Sequence, residues 1–93
     1  MQLNERENKF IEMIYDETGG DVSQILVEPQ LYPLAGRNGF SNDEVLSISG
    51  LLGGLGLLEK RRYKGEDSAG HNVLKVACVR LTSPGVLYVR SLE

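Results

Sequence analysis

The sequence predicts a small α+β fold in which three helical segments precede a β-hairpin and a short last helix. Three observations carry this expectation. Apolar residues recur at spacings of three, four and seven through 3–18 and again through 42–55. A run rich in β-branched residues at 71–81 faces an extended segment starting at Leu57 across the polar connector 65–70. Thr82-Ser83-Pro84 then supplies a helix start, with a capping hydroxyl and a proline in the first turn.

The first helix is read over 3–18, where Leu3, Phe10, Met13 and Ile14 make the apolar stripe. Acids crowd its first turns, where the helix dipole favours them, and Gly19-Gly20 ends it. Asp21 is expected to cap a short second helix over 22–28, stopped by Pro29. Residues 29–40 hold two prolines and two glycines and read as a loop, with Leu31, Tyr32, Leu34 and Phe40 partly buried and a resumed helix considered over 31–35. Ser41 with Glu44 three residues on forms a capping box, and Phe40 can staple onto Val45. The third helix therefore spans 41–55, with Val45, Ile48, Leu52 and Leu55 expected in the core. Gly50, Gly53 and Gly54 each cost that helix about 1 kcal/mol relative to alanine, so packing must hold it. They mark a close contact in the core or a dimer seam, and the spacing alone fits both.

A chain of 93 residues with 41% hydrophobic and 25% charged residues suits one core, so 1–91 reads as a single domain. Leu92-Glu93 is what a cloning site leaves before a purification tag and is set aside. No apolar run nears the roughly 18 residues of a bilayer span, and one cysteine leaves no internal disulfide, so a soluble, cytoplasmic protein is expected. With Cys78 and His71 the only residues of their kinds, neither a metal site nor a cofactor is expected. The chain has no phosphate-cradling loop, no nucleophile elbow and no histidine outside the hairpin, which argues against an enzyme.

Charge separates along the chain. Residues 1–30 hold two cations against seven acids, whereas residues 59–93 hold seven cations against four. An anionic partner would meet the C-terminal half.

The segment Leu52-x-x-x-Gly56-Leu57-Leu58-Glu59-Lys60-Arg61, then a basic hairpin, then Arg80-Leu81-Thr82-Ser83-Pro84-Gly85, resembles the winged helix-turn-helix domain. The likeness is to small transcription regulators of the multiple-antibiotic-resistance-regulator type, and it covers about residues 41–91. It implies a three-helix core with a hairpin wing over 58–80, and a DNA-binding regulator of transcription that acts as a homodimer on double-stranded DNA. The helix over 41–55 would enter the major groove and the wing would touch the backbone. The DNA-contact candidates so implied are Ser41, Asn42 and Ser47 on the helix and Lys60, Arg61, Arg62, Lys64 and Arg80 on the wing.

Bland readings stand beside these. Cations on an edge strand also discourage aggregation, so the run 60–64 fits either phosphate contact or a solvated face. Strand alternation would put Lys60, Arg62 and Lys64 on one face, and a phosphate surface needs them outward beside Arg80. Ser47 stands where the family's helix often carries a basic residue, and Asp43 and Glu44 would repel phosphate. Cys78 reads as a buried small hydrophobe and His71 as an exposed turn residue. The competing function is a winged-helix module that binds a protein partner and no DNA. It predicts an exposed apolar patch on the third helix or the 29–40 loop.

Overall fold

A computed structural model describes residues 3–92. Helix α1, Glu5–Thr18, starts two residues later than the sequence reading, at a capping box: the Asn4 side chain accepts from the Glu7 N–H at 2.8 Å and the Asn4 N–H donates to Glu7 Oε1 at 2.9 Å. It ends at Gly19, whose φ of 64° is the left-handed backbone that glycine adopts without a steric penalty. Its inward stripe is Phe10, Ile11, Met13 and Ile14, all buried.

The next segment corrects the sequence reading. Asp21 caps no helix: Asp21 Oδ1 accepts from the N–H and the hydroxyl of Ser23, which closes a local turn. The chain then forms a two-residue strand β1, Leu26–Val27, and goes straight into helix α2, Glu28–Arg37. Pro29 opens that helix and does not stop another, because the first turn has no use for the missing N–H. Residues 29–40 are thus mostly helical and not a loop, the helix considered over 31–35 extending to Glu28–Arg37, and Leu31, Leu34 and Ala35 are buried at helical spacing.

Helix α3, Asn42–Gly54, has the expected capping box, with Ser41 Oγ accepting from the Glu44 N–H at 3.2 Å and the Ser41 N–H donating to Glu44 Oε1 at 3.1 Å. Ser41→Ala should therefore destabilise the fold by about 1 kcal/mol in urea unfolding. Val45, Ile48 and Leu52 face the core as expected, but Leu55, the C-cap of α3 with helical backbone, is 40% exposed. Ser49 is fully buried and donates its hydroxyl to the Val45 carbonyl at 2.6 Å.

Strands β2, Leu58–Glu66, and β3, Asn72–Leu81, form the expected hairpin, and helix α4, Ser83–Ser91, follows with Thr82 as its cap. The element order is helix, strand, two helices, two strands, helix, and the antiparallel sheet runs β1-β3-β2. A bulge interrupts β3: Arg61 pairs with Cys78 and Arg62 with Val76, leaving Ala77 over. The bulge explains why Val76 and Val79, three residues apart, both face the core. One core results, with Phe10, Ile11 and Ile14 of α1 meeting Leu31, Val45, Leu52, Val76, Val79 and Leu81. Among the described residues no helix is long and apolar enough to cross a membrane.

Candidate functional site

The hairpin doubles back along α3, which fixes where each cation lies. Register pairs share a face, so Lys60 shares one with Val79, Arg62 with Val76 and Lys64 with Leu74, the side of the sheet on which α3 packs. Lys60 reaches over the end of α3, its Nζ within 2.8 Å of where a Cβ on Gly53 would sit. Arg62 and Lys64 are exposed beyond it. Arg61 and Arg80 belong to the opposite face, where Arg80 forms an ion pair with Glu59, its register partner. The structure therefore brings Lys60, Arg62 and Lys64 together and separates them from Arg80, contrary to the single patch that a phosphate surface required.

The helix candidates lie elsewhere. Ser41 is committed to capping, while Asn42 and Ser47 are exposed on α3. Glu44 is neutralised locally: Arg6 donates to both its carboxylate oxygens, at 2.8 and 2.7 Å, and to the Gly39 carbonyl at 2.8 Å. The Arg6 hydrogen bond, helped by the Ser41 N–H, holds the Glu44 carboxyl below its usual range. Asp43 has no such partner in any ion pair among the described residues.

The exposed apolar patch that the protein-partner reading places on the third helix or the 29–40 loop has residues the sequence did not single out for it. Leu51 is 42% and Leu55 40% exposed on the outer side of α3. Between and beside them a Cβ added at Gly50 or Gly54 would meet nothing within 4 Å, so the helix backbone there is open to close approach. No lysine or arginine occurs anywhere in α3. The clue was present in the spacing, since Ser47, Leu51 and Leu55 recur every four residues. The inward stripe of Val45, Ile48 and Leu52 was legible, but Leu51 and Leu55 stand outside it and their exposure was not.

A cleft of about 680 Å³ lies between the starts of α2 and α3 and the far end of the hairpin, walled by Tyr32, Leu46 and Leu74. Glu28, Asp43, Glu66 and Asp67 line it with one cation, Lys75, and Lys64 shares a sheet face with its wall Leu74. Tyr63 donates to Glu28 Oε2 at 2.5 Å, and the negative partner raises the phenol above its usual pKa. The Tyr32 hydroxyl accepts from the Val76 N–H at 3.0 Å, filling the sheet edge that short β1 leaves open.

Cys78 is half-buried on the outer sheet face, not in the core, and His71 is exposed in the turn beside Asp67. Among the described residues no three His, Cys, Asp or Glu side chains gather as a metal site. Compared with protein-family models, with curated proteins and with solved structures, the chain matches none.

Proposed function

We propose that the chain is a winged-helix domain that works as a protein-interaction module, docking a partner on the exposed side of α3 beside β2. The element order, with β3 central in a sheet of order β1-β3-β2 and α2 and α3 preceding the hairpin, supports the winged-helix reading. The observation that carries the function is the uncharged, partly apolar face of Leu51, Leu55, Gly50 and Gly54 at the position where a DNA reader needs donors and cations.

Double-stranded DNA is the second reading. It is favoured by Lys60, Arg61, Arg62 and Lys64, none of which takes part in the ion pairs among the described residues. In that reading a homodimeric transcription regulator would grip phosphates with the hairpin, and Ser41, Asn42 and Ser47 would lie nearest the groove.

The deciding experiment is a titration of isotope-labelled protein with mixed-sequence duplex DNA at low and moderate salt, following backbone amides 41–80. The interaction reading expects α3 amides to stay in place even at low salt, where phosphate attraction is strongest. Salt-sensitive shifts spread over both α3 and β2 would replace it with the DNA reading. Separately, Leu51→Gln with Leu55→Gln should cost no more than about 1 kcal/mol per site, far less than truncation of a fully buried leucine, because both are about 40% exposed.

A further inference from the structure

We infer that the occupant of the α3 face is an acidic amphipathic helix of a partner protein, a step that rests on the interaction reading and names its partner class. Shape argues for a helix. Leu51 and Leu55 stand out from α3 one turn apart, and the backbone at Gly50 and Gly54 lies open next to them. A second helix can seat its own apolar residues between such projections at the usual interaxial distance of about 8–10 Å.

Charge selects its flank. Lys60 lies across the end of α3 at Gly53, and Arg62 and Lys64 continue along the same face of β2, with no carboxylate of the described residues paired to any of them. Gly53 is two residues, about 200° of helix rotation, from both Leu51 and Leu55, so a helix seated over Gly50 and Gly54 meets the leucines on one flank and the cations on the other, and carboxylates on the latter flank would be matched. The acids Asp43, Glu66 and Asp67 line the cleft at the start of α3, where Leu74, the register partner of Lys64, also stands, so the match is centred on Lys60 and Arg62, over Ser47 to Leu55. Nine residues at 1.5 Å rise give a contact about 13 Å long, between two and three helical turns. Duplex DNA would also meet the cations, but it would press phosphates against Asp43 and find no base-reading donors around Leu51.

The test uses the full chain, isotope-labelled, and three probes: an 18-residue helical peptide with a leucine stripe and glutamates elsewhere, the same peptide with lysine for every glutamate, and a mixed-sequence duplex. The glutamate peptide is expected to shift amides 47–55 and 60–64 and to bind at least about tenfold more tightly than the lysine peptide. Gly50→Gln should weaken the glutamate peptide about tenfold while keeping or raising stability, because glutamine is the better helix former and its side chain fills the open floor. Arg62→Gln with Lys64→Gln, both exposed, should weaken it similarly and flatten its salt dependence.

Glutamate and lysine peptides binding α3 equally would overturn the acidic partner while leaving the docking face in place. Failure of the glutamate peptide to shift any α3 amide, or its unchanged affinity for Gly50→Gln, would overturn the inference. Duplex shifts across α3 and β2 would overturn both the inference and the reading beneath it.

Discussion

Gly85→Ala is expected to destabilise the protein at or above the upper end of the roughly 1–3 kcal/mol typical of overpacking. Gly85 is buried in the first turn of α4, and a Cβ there would fall 2.1 Å from the Leu57 carbonyl oxygen and 3.0 Å from its carbon. The obstacle is backbone, so no rotamer change relieves it. That backbone is also fixed on both sides. The Leu57 N–H donates to the Leu52 carbonyl at 3.0 Å, and the Leu57 carbonyl accepts from the Thr82 N–H at 3.2 Å. The Thr82 hydroxyl adds a bond to the Gly56 carbonyl at 2.6 Å. Helix α4 therefore rests on the α3–β2 junction with only glycine's width between them. Helix propensity alone would favour alanine by about 1 kcal/mol, so the sign of the result separates contact from propensity. Gly36→Ala is the control, since its Cβ would meet nothing within 4 Å in α2, and it should gain up to about 1 kcal/mol. Urea unfolding of the two variants checks both, and an unchanged midpoint for Gly85→Ala would mean that α4 does not rest on this junction.

Which elements the sequence disclosed follows from where their information lies. Helices α3 and α4 announce themselves through Ser41 and Thr82, whose caps act within three residues, and α1 through its apolar stripe and Gly19-Gly20. The hairpin is carried by its β-branched run. Strand β1 is two residues long and exists because Leu26 and Val27 pair with Val79 and Cys78, contacts about fifty residues away along the chain that no local pattern encodes. Helix α2 hid behind Pro29 and Pro33, which read as breakers although the first sits where a helix tolerates it. At the site, the hairpin cations were legible as residues but their grouping was not. Whether Arg80 joins Lys60 and Arg62 depends on the register of β2 against β3, and the buried positions of β3 depend on the bulge at Ala77. The exposure of Leu51 and Leu55 depends on the rotation of α3, in which apolar residues also stand outside the inward stripe of Val45, Ile48 and Leu52.

Phe10→Ala should remove about 3–5 kcal/mol, a large part of the roughly 5–15 kcal/mol available to a domain of this kind. Phe10 is fully buried and meets Phe40 edge to face, with ring centroids 5.3 Å apart and planes at 89°. Phe40 in turn carries the Arg6 guanidinium 4.4 Å above its ring, and Arg6 grips Glu44 in the first turn of α3. Truncating Phe10 thus leaves a cavity under the residue that orients the start of α3. At about 4–8 °C per kcal/mol for a domain of this size, the melting temperature should fall by at least about 12 °C. Arg6→Gln should cost far less, because the Arg6–Glu44 pair is 45% and 35% exposed and lies in water. Comparing the two separates the aromatic contact from the ion pair. Amide exchange at 41–45 adds the link to the site: in Phe10→Ala it should quicken beyond what the global loss explains, since the capping box of α3 has lost the ring that supports it. If exchange there follows only the global loss, α1 stabilises the fold without setting the orientation of α3, and the docking face owes its geometry to β2 and β3 alone.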